Sequence, residues 1–85
     1  MKLMNIILNE RMKISSINIA YTNYGDLYSV RVNGDKVDRD EGVGLIHKLT
    51  KLELPYSYDV TLVDDVLNKL RDKGIDADDY EMDID

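Results

Sequence analysis

The sequence predicts an α+β fold: an antiparallel or mixed β-sheet of three or four strands with two helices on one face, in the order β-β-α-α-β. Three observations carry this expectation. Residues 13–22 and 27–33 each alternate apolar with polar side chains and are separated by a four-residue turn. Two later stretches place their apolar residues three and four apart. The chain then ends on a third alternation, Asp79-Tyr80-Glu81-Met82-Asp83-Ile84-Asp85. A period of two belongs to a strand and a period of 3.6 to a helix, so the chain reads as strands, helices and a closing strand around one core.

Residues 1–12 fit two patterns. Leu3, Met4, Ile7, Leu8 and Met12 make a helical stripe, whereas Met4, Ile6 and Leu8 alternate as in a strand. The segment is an extra strand or an extension ahead of Met12. It is too short and too interrupted by Asn5 and Asn9-Glu10-Arg11 for a signal peptide or a membrane span. In residues 13–22, Ile17, Ile19 and Tyr21 share one face. Asn23-Tyr24-Gly25-Asp26 has turn chemistry, with Gly25 available for positive φ. In residues 27–33, Tyr28, Val30 and Val32 are expected inward and Ser29, Arg31 and Asn33 outward, so the two strands form a hairpin with one wet face. Asn33-Gly34 opens a second tight turn, and Lys36-Val37 adds a short strand.

Asp38 is an N-cap with Glu41 three residues on, as in a capping box. Leu45, Ile46, Leu49 and Leu52 fall on one arc of that helix with Gly42, while His47, Lys48 and Lys51 fall opposite. Glycine costs a helix interior about 1 kcal/mol relative to alanine, and close packing of Gly42 against the sheet would explain its presence. Pro55 turns the chain into a connector in which Leu54, Tyr56 and Tyr58 close over the core edge. Thr61 to Asp64 repeats the capping-box pattern. Leu62, Val63, Val66, Leu67 and Leu70 form the apolar arc of the second helix, and Gly74 with Ile75 reads as a Schellman ending. Asp76-Ala77-Asp78 is expected to turn the chain into the terminal strand, whose Tyr80, Met82 and Ile84 join the core and whose acids face outward.

The 85 residues form a single domain with 44% hydrophobic residues and no cysteine. Disulfides, thiol chemistry and cysteine zinc sites are therefore excluded. The net charge is −6, and residues 1–75 carry as many bases as acids. The whole excess lies in Asp76, Asp78, Asp79, Glu81, Asp83 and Asp85. Direct nucleic-acid binding needs a basic footprint, and an anionic membrane repels such a tail. A basic protein surface is the partner these charges favour. No cofactor or metal is expected. The acids do not follow the calcium-loop spacing, Gly42-Val43-Gly44 lacks the rest of a phosphate loop, and His47 has no nucleophile motif to serve. No enzymatic activity is predicted, and a cytoplasmic location is the default.

Alternate residues on a strand lie about 6.6–6.8 Å apart, close to the spacing of successive phosphates, so an acidic strand can occupy a groove lined with Lys and Arg. Tyr24, at the hairpin tip, is a candidate anchor beside it, since tyrosine is enriched at binding hot spots. In size, acidity and lack of motifs the chain resembles the small inhibitors encoded by phages and mobile elements, anti-CRISPR proteins among them. The resemblance implies a non-enzymatic protein that blocks a nucleic-acid-binding effector by mimicking charge. The alternative is a structural module that pairs through its terminal edge strand, as a homo-oligomer or by adding a strand to a partner's sheet.

Overall fold

A computed structural model of the protein describes residues 13–84. The expectations for residues 1–12 and for Asp85 fall outside that range. Four strands, β1 (Ser16–Thr22), β2 (Leu27–Val32), β3 (Asp35–Val37) and β4 (Asp76–Met82), form one sheet in the spatial order β3-β2-β1-β4. Helices α1 (Arg39–Thr50) and α2 (Val60–Asp72) connect β3 to β4. The order is thus β-β-β-α-α-β. β1 pairs antiparallel with β2 and parallel with β4, so the sheet is mixed. Among the described residues no helix is long and apolar enough to cross a membrane.

One hydrophobic cluster lies between the sheet and the helices. Ile17, Ile19, Val30 and Val32 come from the hairpin, Leu45 and Ile46 from α1, and Val63, Val66 and Leu70 from α2. Leu54 seals it from the connector at 1% exposure. The hairpin departs from simple alternation at one point. Ala20 pairs with Ser29 but Tyr21 pairs with Leu27, so Tyr28 is bulged out of register. Leu27 takes the buried place expected of Tyr28, whose ring instead lies 39% exposed with Lys36 Nζ 4.6 Å from its centroid. The following turn is as predicted: Asn33 and Gly34 both have positive φ, 53° and 87°, which suits the right-handed twist of the strands.

Helix α1 begins at its predicted cap, with the Asp38 side chain accepting from the Asp40 N–H. It ends at Thr50, with Lys51 left-handed, well before Pro55. Gly42 is buried against Val30, which accounts for a glycine at a core-facing helical position. Helix α2 starts earlier than its Thr61 signal suggests. Asp59 is the N-cap, accepting from the Leu62 N–H at 3.1 Å, and Leu62 is 47% exposed rather than part of the buried stripe. Its far end is the expected Schellman motif. Ile75 N–H donates to Leu70 O, Gly74 N–H donates to Arg71 O, and Gly74 has φ of 82°.

The largest correction concerns β4. The strand begins at Asp76, so Asp76-Ala77-Asp78 is strand rather than turn. Its phase is opposite to expectation. Ala77, Asp79 and Glu81 pair with Ile17, Ile19 and Tyr21 and share their helix-side face, because paired residues on parallel strands point the same way. Asp78, Tyr80 and Met82 pair with Asn18, Ala20 and Thr22 on the opposite face. Tyr80 is 40% exposed, and neither it nor Met82 belongs to the core cluster. The helices cover only the start of the strand. There Ile75 and Ala77 are buried, Asp79 is half-buried, and Glu81 is exposed.

Candidate functional site

The register of β4 builds a cleft at the C-terminal ends of the two parallel strands. It is a half-open cleft of about 480 Å³, lined by Tyr21, Tyr58, Asp79, Tyr80 and Glu81, with the hairpin loop Thr22 to Gly25 as its rim. Open sheets commonly bind ligands beyond the carboxyl ends of parallel strands, where the backbone splays and no helix covers it. The volume falls within the range of ordinary ligand sites.

Three chain segments far apart in sequence are locked together here by backbone hydrogen bonds. Tyr58 N–H donates to Gly25 O at 2.7 Å and Leu27 N–H donates to Tyr56 O at 2.7 Å, so the connector runs antiparallel to the hairpin loop, bridging Asp26 and Ser57. Asn23 N–H donates to Met82 O, and the Asn23 side-chain oxygen accepts from Ile84 N–H, which fastens the end of β4 to the same loop. Within the loop, Thr22 Oγ1 accepts from the N–H groups of Tyr24 and Asp26. A cleft held this way is preorganised, so little conformational entropy is lost when a ligand enters.

The rings of Tyr21 and Tyr58 meet edge-to-face, with centroids 5.2 Å apart and planes at 78°. Tyr21 is buried and donates its hydroxyl proton to Pro55 O at 2.6 Å. Burial raises its pKa well above the usual tyrosine value, and the nearby charge of Asp79 and the Tyr58 ring raise it further. Tyr58 is also shifted upward, by desolvation first and then by Asp79, Asp64 and Asp59. The Tyr21 and Tyr58 hydroxyls therefore stay neutral at physiological pH.

This has a measurable consequence. A phenol whose folded pKa lies above its unfolded value of 10.0 contributes stability that is complete below that pH and is lost as pH rises. Tyr21→Phe should cost about 1 kcal/mol near neutrality through the lost hydrogen bond. The parent protein should then lose about 1.4 kcal/mol more than the variant by roughly pH 11, so the gap closes and reverses. Urea unfolding of both proteins across that range checks it, and a pH-independent gap would contradict the assignment.

The structure brings Tyr24, Asp79 and Glu81 of the sequence-predicted set into one place. Tyr24 stands at the rim, 73% exposed. Asp76 and Asp78 lie exposed on the strand before the cleft, and Asp83 is exposed beyond it. Asp78 is hydrogen-bonded to Asn18 Nδ2 across the face opposite the helices. The predicted acids are therefore divided between both faces of β4. Asn23 is not among the sequence-predicted site residues; Tyr58, expected at the core edge, stands 45% exposed in the cleft wall, and the alternation Leu54, Tyr56, Tyr58 carries the signal of an extended segment able to pair. Among the described residues no group of three or more His, Asp or Glu side chains is placed to hold a metal ion, and His47 is exposed on α1. No family model, curated protein or solved structure matches the chain.

Proposed function

We propose that the protein is a non-enzymatic binding module that presents its acidic edge strand to a basic surface of a partner protein, as an inhibitor of a nucleic-acid-binding effector would. One observation carries the reading: all of the net charge of the chain lies in residues 76–85, and residues 76–82 form an outer strand of the sheet among the described residues. β4 projects carboxylates from both faces, Asp76 and Asp78 on one and Asp79 and Glu81 on the other. Such a strand suits a groove with basic walls on two sides better than a flat basic plate. Its charges steer approach and set specificity against acidic surfaces. Self-pairing of β4 with a second copy would bring like charges together across the new ladder, an arrangement that protects edge strands from association. The likeness in size and charge pattern to small phage-encoded inhibitors points the same way.

The test is a variant carrying D76N, D78N, D79N, E81Q and D83N. It should fold as the parent does, because none of these carboxylates lies in the hydrophobic cluster. Its affinity for the partner retrieved on the immobilised parent protein, then purified, should fall by about a hundred-fold or more at low salt, at roughly 0.5–1 kcal/mol per lost contact. The parent's affinity should drop steeply with ionic strength, and that dependence should flatten in the variant. Equal affinities with equal salt dependence would remove the acidic strand from the interface.

A further inference from the structure

Resting on that reading of the acidic strand, we propose that the cleft beside it is the receptor for one arginine side chain of the partner, with Tyr21 and Tyr58 as its aromatic wall and Asp79 and Glu81 as its counter-charge. The two rings pack edge-to-face, nearly at right angles, and both line the cleft, while the carboxylates stand on the adjoining strand, on the same face of the sheet as Tyr21. A guanidinium is attracted to the negative face of an aromatic ring. It also matches a carboxylate through its planar fork of N–H donors, and it loses less hydration than an ammonium on entering a half-desolvated site.

A separate observation shows what these tyrosines lack. Two other tyrosines carry a cation from the chain itself: Lys36 Nζ lies 4.6 Å from the centre of Tyr28, and the Arg39 guanidinium lies 5.8 Å from the centre of Tyr56, whereas exposed Tyr24 and Tyr80 have none among the described residues. Among the described residues no lysine or arginine stands over Tyr21 or Tyr58, and no base lines the cleft. No cation of the described residues takes that position on the exposed Tyr58 ring, which shares the cleft with buried Tyr21 and two carboxylates. Its walls are held by the hydrogen bonds of Tyr58 to Gly25 and of Asn23 to Met82, so the receptor exists before the partner arrives.

The probe is a short acetylated and amidated peptide with a single arginine between glycines, titrated into the full chain and followed by amide-resolved NMR. Peptides with lysine and with citrulline, the neutral isostere, are the comparison arms. The arginine peptide should shift the amide signals of Gly25, Tyr58 and Asp79 saturably. The lysine peptide should bind several-fold more weakly, and the citrulline peptide should leave the spectrum unchanged. Tyr58→Leu and E81Q should each weaken the arginine peptide by about ten-fold or more while keeping dispersed spectra, since both side chains are solvent-exposed. Equal binding of citrulline, unchanged binding in both variants, or shifts confined to Asp76 and Asp78 would overturn the proposal. Failure of the cleft is separable from failure of the acidic-strand reading. D76N with D78N leaves the cleft intact and tests the strand alone, whereas Tyr58→Leu removes no charge and tests the cleft alone.

Discussion

Gly42→Ala is expected to destabilise the protein by about 3 kcal/mol even though alanine is the better helix former. A Cβ at Gly42 would lie 2.6 Å from Val30 Cβ, and the γ-methyl groups of Val30 crowd it further. Val30 sits fully buried on β2 and cannot swing aside without displacing the cluster around it. The helix must therefore lift from the sheet. For an 85-residue domain, whose total stability is on the order of 4–13 kcal/mol, that is a large fraction. Gly44→Ala is the matched control. It lies on the exposed side of the same helix, and an added Cβ there meets nothing within 4 Å. It should stabilise by about 0.5–1 kcal/mol. Two glycines two residues apart should thus give shifts of opposite sign in urea unfolding. Matching signs would mean that α1 does not approach β2 as described.

Gly42 was readable in advance because helical periodicity places it on the buried arc with Leu45 and Ile46, where only close backbone approach explains a glycine. The same local logic found the hairpin, the Asn33-Gly34 turn, the Asp38 cap and the Schellman ending at Gly74. Each is decided by residues a few positions apart. The misses have the opposite character. The Tyr28 bulge depends on how Leu27 meets Tyr21 across the hairpin. The Tyr58 wall depends on pairing between residues more than thirty positions apart. The cleft is built from three such segments, so its acids and its rim tyrosine could be named while its shape could not. The early start of α2 is a smaller case. Both Asp59 and Thr61 have capping side chains, and the helix uses Asp59, whose carboxylate accepts from the Leu62 N–H.

The phase of β4 shows most sharply why alternation alone misleads, and Ala77→Asp tests the reason. The expected phase would have put Tyr80, Met82 and Ile84 under the helices. Since side chains alternate strictly, it would also have put Asp76 and Asp78 there. The helices cover the beginning of the strand, so those two positions decide, and burying two unpaired carboxylates outweighs burying three apolar side chains near an uncovered end. The observed phase buries Ile75 and Ala77 instead, at 7% and 2% exposure. It is reinforced from α2, where Arg71 Nε and Nη2 donate to Ala77 O at 3.0 and 2.7 Å. A carboxylate at residue 77 would sit beside Ile17 in the core, and at neutral pH the variant should lose about 3 kcal/mol or more. Burial raises the folded pKa of such a carboxyl above its unfolded value of about 3.9, so the loss is greatest above the folded pKa and shrinks as pH falls toward the unfolded one. Ala77→Asn, nearly the same shape without the charge, should carry a penalty that does not change with pH. The strand should not escape by slipping one residue, because the slipped register still buries Asp76 and Asp78. If the Asp variant instead kept the parent's stability, with the Tyr80 ring newly protected from solvent, the two phases would be close in energy. The arginine receptor, which needs Asp79 and Glu81 on the helix side, would then be lost with the slip.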